Sequence, residues 1–259
     1  MIPFSKFHGA GNDFIMIDNR DKKVADAVKE KLAQKWCERR FGVGSDGIIF
    51  IENNPDHDFE MDFLNPDGSR SFCGNGSRCA VAFAKQLGIC QNDLTFLAVD
   101  GSHQAKIVGN QVQIQMGKVN GVETKNQDMI LHTGSPHYII FSTDIEEVNI
   151  IPEAHNIRYS QEYKTDGINV NFVQELGEGA IAIRTYERGV ENETLACGTG
   201  ATAAALAYVA KKEIHVDEVQ VKARGGDLSV NLKTDDFNQF HEIWLNGPAE
   251  FVFKGVLNG

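Results

Sequence analysis

Phe72-Cys73-Gly74-Asn75-Gly76 and Ala196-Cys197-Gly198-Thr199-Gly200 are two copies of one cysteine-headed segment. Each copy opens an alanine-rich stretch that is apolar on almost every face, which is typical of a helix buried all round. The N-terminus of a helix carries unpaired N–H groups and a partial positive charge, so it binds anions and favours a thiolate over a thiol. The chain therefore presents two such helix tips, each with a sulfur atom.

The repeat extends beyond the two cysteines. The two copies lie 124 residues apart, and other short matches recur in the same order at nearly the same offset. Gly11–Ile15 is matched by Gly134–Tyr138, and Asp46-Gly47-Ile48 is matched by Asp166-Gly167-Ile168. A repeat of this length indicates two similar domains rather than a solenoid, whose period is far shorter.

The coarse pattern of strands and helices is the same in both halves. Short runs rich in Ile, Val and Phe lie on either side of each cysteine-led helix. A polar helix is predicted over 23–39, with a weaker counterpart over 144–155. The pattern predicts two similar domains of α+β class, with strands around each buried helix. The N-terminal domain is predicted over 1–118, with strand 248–259 returning to it, and the C-terminal domain over 119–247.

The composition disfavours several classes of function. Hydrophobic residues make up 42% and charged residues 24%, which is typical of a soluble globular protein. The net charge of −11, without a basic cluster, disfavours nucleic acid and membrane surfaces as partners. The five cysteines form no Cys-x-x-Cys pair, and the N-terminal segment lacks the apolar core of a signal peptide. We therefore expect free thiols and a cytoplasmic location.

Two thiols at helix tips suit the inversion of a carbon centre. Inversion requires a base on one face of the carbon and an acid on the other, and each such group contributes roughly 10²–10⁴-fold. Cys73 and Cys197 are the candidate pair, because the glycines after them let backbone N–H groups approach a carboxylate. Cys37, Cys79 and Cys90 lack that setting and are interpreted as structural. The pattern predicts a racemase or epimerase.

Neither a cofactor nor a metal is expected from the sequence. No lysine lies in a recognisable pyridoxal phosphate setting, and the histidines do not cluster with acidic residues at the spacing of metal ligands. A small-molecule substrate with a carboxylate is the expected partner.

Seven stretches, taken in order along nearly the whole chain, make it resemble the diaminopimelate epimerase family. The resemblance implies cofactor-independent interconversion of L,L- and meso-diaminopimelate, on the route to lysine and peptidoglycan. It also implies an α+β fold of two pseudo-symmetric domains, each a mostly antiparallel curled sheet or barrel wrapped around a central buried helix, and it implies a homodimer. The stretches are Phe7–Phe14, Asn65–Gly68, Cys73–Arg78, Pro136-His137, Asn169, Glu187–Gly189 and Leu195–Ala201.

The same resemblance assigns roles to individual residues. It implies that Cys73 and Cys197 are the acid–base pair, with His137 assisting the first thiol and Glu187 the second. Backbone amides would bind the reacting carboxylate, and polar side chains would hold the other amino and carboxylate groups of the substrate. The amides are those of Gly74, Asn75, Gly198 and Thr199, and the side chains are those of Asn12, Asn65, Asn169, Glu187 and Arg188. A guanidinium suits this task because it binds a carboxylate bidentately.

The chain departs from the family pattern at a few places. Gly47 stands where many members have Gln, and Ser135 stands where many have Asn. The loop between Glu187 and Cys197 looks one residue longer than usual. The hydroxyl of Ser135 still donates and accepts hydrogen bonds, whereas Gly47 offers no side chain.

Alternatives remain open from the residues alone. His137 after Pro136 would also suit a turn, and Asn65 in Asn-Pro-Asp-Gly is first a turn residue. Another two-thiol racemase, of the proline racemase type, would share the cysteines but needs a small apolar far side, against which Arg188 argues. A thiol redox protein that bridges Cys73 and Cys197 is the alternative from a different class. It gives no role to the duplicated glycines.

Overall fold

A computed structural model describes residues 1–258 and divides the chain into two compact units. The first unit comprises Met1–Ile114 and the segment that starts at Gly247, and the second comprises Gln115–Asn246. Within residues 1–258 there are four helices and seventeen strands, so the predicted α+β class is confirmed.

The helices are α1 (Asp26–Trp36), α2 (Gly74–Gln86), α3 (Ile150–Arg158) and α4 (Gly198–Lys212). The first nine strands are β1 (Ile2–Gly9), β2 (Asn12–Asp18), β3 (Gly47–Glu52), β4 (Phe59–Leu64), β5 (Asp93–Ala98), β6 (Gly101–Val108), β7 (Gln111–Gln115), β8 (Glu123–Lys125) and β9 (Asp128–His132). The others are β10 (Pro136–Phe141), β11 (Asn169–Gly177), β12 (Ala180–Glu187), β13 (Asn192–Thr194), β14 (Glu218–Ala223), β15 (Gly226–Thr234), β16 (Phe240–Pro248) and β17 (Glu250–Leu257).

In the first unit, β1 pairs antiparallel with both β2 and β17, and β2 runs parallel to β3. β3 pairs antiparallel with β4, β4 runs parallel to β5, and β5, β6 and β7 form an antiparallel meander. Helix α2 packs against the first four strands, and α1 packs against β4. All six residues of β3 are buried, because alternate side chains belong to two different hydrophobic clusters.

In the second unit, β10 pairs antiparallel with β9 and parallel with β11. β11 pairs antiparallel with β12, and β12 pairs antiparallel with β13 and parallel with β14. β14, β15 and β16 continue in antiparallel order. Helix α4 packs against six strands of this unit and is buried without interruption from Gly200 to Val209. The sequence prediction of a helix that is buried all round is therefore confirmed for α4.

Gly88, two residues beyond the end of α2, terminates the helix. Gly88 has a φ of +71°, a left-handed conformation that favours glycine. Its N–H donates to the Lys85 carbonyl and the Ile89 N–H donates to the Ala84 carbonyl, both at 3.0 Å. These are the two hydrogen bonds of a Schellman motif, which satisfies carbonyl groups at the end of the helix.

Two expectations are corrected. The helix predicted over 144–155 is α3, Ile150–Arg158, because Asp144 accepts from the Glu146 N–H at 2.9 Å and so holds a turn instead. The match of Asp46-Gly47-Ile48 with Asp166-Gly167-Ile168 is out of register by two residues. Gly167 lies in the turn before β11 with a φ of +73°, whereas Gly47 is the first residue of β3.

The strand registers show which positions of the two units are equivalent, starting from the sequence match of Phe14 with His137. Gly47 lies opposite Phe14 across the β2–β3 pair, and Asn169 lies opposite His137 across the β10–β11 pair. Two residues further along the chain, Ile49 lies opposite Phe63 across the β3–β4 pair, and Asn171 lies opposite Thr185 across the β11–β12 pair. Ile49 and Asn171 are therefore equivalent, and so are Phe63 and Thr185.

No helix within residues 1–258 combines the length and the apolar composition needed to cross a bilayer.

Candidate active site

In the first unit, Cys73 is the N-cap residue of α2. Its backbone is extended, with φ −133° and ψ 110°, and its sulfur accepts from the Gly76 N–H at 3.4 Å. The Cys73 carbonyl accepts from both the N–H and the hydroxyl of Ser77. The sulfur therefore lies in the first turn of the helix, where the helix dipole favours its thiolate.

Asparagine side chains connect this tip to the N-terminal strands. Asn75 donates to the Asn12 side-chain oxygen, and Asn12 donates to Asp46 Oδ2 at 3.0 Å. The fully buried Arg78 donates through Nη2 to Asn75 Oδ1 at 2.7 Å. Burial lowers the pKa of the Arg78 guanidinium, and the neighbouring thiol groups, that of Cys73 included, oppose that change. A buried cation near the first tip thus favours the Cys73 thiolate.

The layer beneath the Cys73 tip is apolar. A Cβ atom on Gly76 would lie 3.2 Å from Ile49 Cδ1 and 3.4 Å from Phe14 Cε1. Phe63 packs edge-to-face on Phe14, with ring centroids 6.0 Å apart. The Phe63 ring also fills the space beside Gly47, where a Cβ atom would lie 2.2 Å from Cε2. The Leu64 carbonyl oxygen would lie 2.9 Å from the same Cβ atom, so position 47 has no room for a longer side chain.

The Asn65 side chain is engaged by the loop that leads to Cys73. Its amide nitrogen donates to the carbonyl and hydroxyl oxygens of Ser69 and to the Ser71 hydroxyl, at 3.0–3.2 Å. In this conformation Asn65 stabilises the turn that its sequence also favours.

In the second unit, Cys197 is the N-cap residue of α4, with φ −118° and ψ 114°. Its sulfur lies 3.4 Å from the Thr199 hydroxyl, and only 9% of the residue is exposed. The Thr199 hydroxyl in turn lies 3.0 Å from His137 Nε2. His137 is thus connected, within its own unit, to the helix that carries Cys197. Its expected assistance to Cys73 remains a prediction.

A buried amide holds the other side of the His137 ring. Asn171 Nδ2 donates to His137 Nδ1 at 3.0 Å and to the Tyr138 carbonyl at 3.3 Å, and Asn171 Oδ1 accepts from the Thr185 hydroxyl at 3.0 Å. Burial lowers the pKa of His137 to about 3. The imidazole is therefore neutral at physiological pH.

Ser135, Asn169 and Arg188 form the neighbouring polar cluster. Asn169 donates to the Ser135 hydroxyl at 2.6 Å and accepts from the Arg188 backbone N–H at 2.8 Å. The Arg188 side chain is exposed and donates to the Asp166 carbonyl at 2.7 Å. Glu187 is half-buried at the end of β12, immediately before Arg188. An exposed guanidinium next to these groups suits the binding of a carboxylate from solution.

The candidates from the sequence thus fall into one group per unit. Gly74, Asn75 and Asn12 belong with Cys73, and Asn65 lies in the loop before it. Gly198, Thr199, His137 and Asn169 belong with Cys197, and Glu187 and Arg188 follow at the end of β12. Sequence reasoning missed four supporting residues, namely Asp46, Arg78, Asn171 and Thr185. The pair Asn169 and Asn171 was the available signal, since two amides spaced by two residues share one face of a strand.

Within the part of the chain that the structure describes, no group of three or more His, Cys, Asp or Glu side chains is arranged to hold a metal ion.

Sequence comparison relates the chain to one protein family. The family model described as diaminopimelate epimerase matches residues 4–122 and 129–252. The diaminopimelate epimerase of Flavobacterium psychrophilum is 45% identical over 254 residues, which cover 97% of this chain and 98% of that protein. The diaminopimelate epimerase of Aquifex aeolicus is 40% identical over 274 residues, with coverages of 98% and 97%.

Solved structures share the fold at low sequence identity. A PhzF-family phenazine biosynthesis protein from Bacillus anthracis matches with a TM-score of 0.77 and 15% identity, over 99% of both chains. A hydroxyproline epimerase from Agrobacterium vitis matches with a TM-score of 0.69 and 14% identity, over 98% of this chain and 90% of the other. At these identities the likeness concerns the fold alone.

Proposed function

Because the chain belongs to the diaminopimelate epimerase family and is an isomerase that interconverts L,L- and meso-diaminopimelate, we propose that Cys73 and Cys197 act as its acid–base pair. The observation that supports this assignment most strongly is that each cysteine is the N-cap residue of the central helix of its own unit. Two thiols in equivalent settings suit a substrate carbon that is attacked from one face and protonated on the other.

The proposed reaction moves two protons and leaves the enzyme ready for the reverse direction. One cysteine, as thiolate, takes the proton from the α-carbon, and the electron pair of the broken C–H bond delocalises into the α-carboxylate. The other cysteine, as thiol, then gives its proton to the opposite face of that carbon. The thiolate and the thiol have exchanged places, and no external acid, base or cofactor is consumed.

The helix tips lower the cost of the charge that develops on the substrate. Backbone N–H groups in the first turn of a helix favour an anion, and one well-aimed donor contributes roughly 10²–10³-fold to such reactions. We assign this role to the amides of Gly74, Asn75, Gly198 and Thr199. No lysine Schiff base is then required to stabilise the carbanion.

Polar side chains complete the proposed substrate site. We assign Asn12, Asn65, Asn169, Glu187 and Arg188 to the amino and carboxylate groups that do not react, and His137 and Glu187 to assistance of the thiols. The exposed guanidinium of Arg188 supports a substrate with a second charged end. In the conformation described, the Asn65 amide nitrogen donates to Ser69 and Ser71, so a contact of that nitrogen with substrate requires the loop to release it.

The cellular setting is proposed on the same grounds. We place the reaction in the cytoplasm, on the route to lysine and peptidoglycan precursors, and carried out by a homodimer. The exposed apolar side chains of Phe251, Phe253 and Val256 on β17 support an interface between copies. Sedimentation velocity at micromolar concentration tests this, with a species of twice the chain mass expected and a purely monomeric boundary as the contrary result.

A direct assay tests the proposed substrate. The purified chain is incubated with L,L-diaminopimelate and, separately, with L-proline, and the isomers are resolved by chiral chromatography. We expect meso-diaminopimelate to form from the first substrate and no D-proline from the second. Racemisation of proline without turnover of diaminopimelate would assign the chain to the proline racemase type.

A further inference from the structure

The two helix tips are equivalent in backbone geometry but differ in the layer beneath them. At the positions held by Phe14, Ile49 and Phe63 in the first unit, the strand registers place His137, Asn171 and Thr185 in the second. The layer under Cys73 is therefore apolar, whereas the layer under Cys197 is a set of connected hydrogen-bonding groups.

The donors and acceptors of that hydrogen-bond chain are assigned starting from Asn171. Its Nδ2 lies 3.3 Å from the Tyr138 carbonyl, which only accepts, and its Oδ1 lies 3.0 Å from the Thr185 hydroxyl. These partners fix which end of the amide is nitrogen. The same Nδ2 lies 3.0 Å from His137 Nδ1, so that ring nitrogen accepts a hydrogen bond.

The assignment at Nδ1 also decides which nitrogen of the imidazole donates. A neutral histidine that accepts at Nδ1 carries its proton on Nε2. The Nε2–H lies 3.0 Å from Thr199 Oγ1 and 3.1 Å from Ser135 Oγ, and both oxygens accept. Because Thr199 Oγ1 receives this hydrogen bond, its own proton remains available for Cys197 Sγ at 3.4 Å.

We propose that Asn171 is a positioning residue that fixes the Nε2–H tautomer of His137 and thereby directs the Thr199 hydroxyl as a donor to the sulfur of Cys197. A hydroxyl that donates to sulfur stabilises the thiolate more than the thiol. Cys197 is thus made more acidic by a neutral chain of hydrogen bonds. The inference extends the proposed role of Cys197 and involves only residues of the second unit.

Charged and titratable neighbours act on the same histidine. His132 of β9 and Arg188, which follows β12, both disfavour a second proton on His137, in addition to the larger effect of burial. Glu187 at the end of β12 is the carboxylate that the proposed mechanism assigns to this thiol. The side chains that hydrogen-bond to the His137 ring, those of Asn171, Thr199 and Ser135, are uncharged. The imidazole therefore stays neutral across the pH range in which a cysteine titrates.

The test compares the acidity of Cys197 in hydroxyl variants of α4. In a Cys73→Ala background, the pH midpoint of iodoacetamide alkylation of Cys197 is measured by peptide mass spectrometry, without substrate. Thr199→Val should raise the midpoint by about one pH unit or more, the size expected for a lost hydrogen bond to a charged group. Thr199→Ser should keep the parental value. Thr202→Val is the matched control on the same helix, because the Thr202 hydroxyl donates to the Gly198 carbonyl instead.

The tautomer is tested separately in the Asn171→Asp variant. A carboxylate accepts from Nδ1–H, so the ring should turn from the Nε2–H to the Nδ1–H tautomer, as read from its ¹⁵N chemical shifts, and the Thr199 hydroxyl should then donate to Nε2 instead of to sulfur. The Cys197 midpoint should rise with it. An unchanged midpoint in Thr199→Val, or an equal rise in Thr202→Val, would overturn the inference. If the Asn171→Asp variant does not fold, the comparison of Thr199→Val with Thr199→Ser still tests whether the Thr199 hydroxyl donates to Cys197. Because alkylation needs no substrate, a failure of the epimerase assay leaves this result interpretable.

Discussion

Asn171 places its side-chain oxygen 2.6 Å from the position that a Cβ atom on Gly200 would take. The same Cβ would lie 3.3 Å from Cys197 Cβ and 3.4 Å from its sulfur. The third residue of α4 is therefore glycine because the amide beneath it and the thiol beside it leave no space for a methyl group. In the first unit the equivalent contact on Gly76 is made by Ile49, at a looser 3.2 Å.

Substitution of Gly200 by alanine should impair catalysis more than folding. The added methyl displaces the Asn171 amide and shifts Cys197, and a misplacement of about 1 Å at a reacting group costs roughly 10²-fold in rate. We expect kcat of Gly200→Ala to fall by about 10–100-fold, measured as meso-diaminopimelate formed under saturating substrate. Gly117→Ala is the control, because a Cβ atom there meets nothing within 4 Å. Equal activity in both variants would contradict the close contact.

A substitution at Gly47 tests the packing beneath the N-terminus of α2. In Gly47→Ala the new methyl meets the Phe63 ring, and overpacking of this kind costs about 1–3 kcal/mol of unfolding free energy. Gly47→Ala in a Phe63→Leu background should cost less, because the shorter side chain removes the nearest contact and leaves only the one with the Leu64 carbonyl oxygen, at 2.9 Å. Urea unfolding of the four proteins of this double-mutant cycle measures the coupling. Additive effects of the two substitutions would show that Phe63 does not fill the space at Gly47.

A buried lysine in the first unit predicts a pH dependence of stability. The Lys29 ammonium contacts Glu52 at 2.6 Å and Asp62 at 2.7 Å. Burial alone raises the pKa of both carboxyl groups, but the hydrogen bonds they accept lower it below the ordinary value. The donors are Lys22 and Lys29 for Glu52, and Arg70 and Lys29 for Asp62. This stabilisation is fully present above the unfolded-state pKa of about 4 and is lost as the pH falls through the lower folded-state values.

Removal of the lysine should weaken that dependence of stability on pH. Lys29→Met leaves two carboxyl groups without their shared cation, which costs about 3–5 kcal/mol at pH 7 for a buried partner. Acidification from pH 7 to 4 should then narrow the difference in unfolding free energy between the parent and the variant, because protonation relieves the two carboxylates that keep only Lys22 and Arg70 as cationic partners. Urea unfolding at both pH values measures it. A difference that stays constant or widens on acidification would be inconsistent with this arrangement.

The two N-cap cysteines should be indispensable, and the other thiols should not. Cys73→Ala and Cys197→Ala each remove one of the two proton-transfer groups, so each should lower epimerisation by at least about 10²-fold. Cys90→Ala is the control, because burial raises the pKa of Cys90 to about 11 and keeps it a thiol at neutral pH. The measurement is the initial rate of meso-diaminopimelate formation. Near-normal turnover in either N-cap variant would refute the assignment of both cysteines.

The sequence predicted the elements but not the connections between side chains. Strands β3 and β4 coincide with runs rich in Ile, Phe and Met that turn residues delimit in the sequence. The central helices begin at Gly74 and Gly198, directly after the two cysteines, because each cysteine is itself the N-cap. The role of Asn171 depends on a strand register that an Asp-Gly-Ile match misplaced by two residues. Such a register follows from pairing and packing, which local sequence does not specify.

The central claim is that one sulfur removes the α-proton and the other supplies a new one. Initial-rate epimerisation of L,L-diaminopimelate in heavy water tests it most directly, with the deuterium content of both isomers measured by mass spectrometry at low conversion. We expect the meso product to carry one deuterium at the inverted carbon and the remaining L,L-isomer to carry none. Protium in the product, or deuterium in both isomers from the outset, would show that a single group serves both faces.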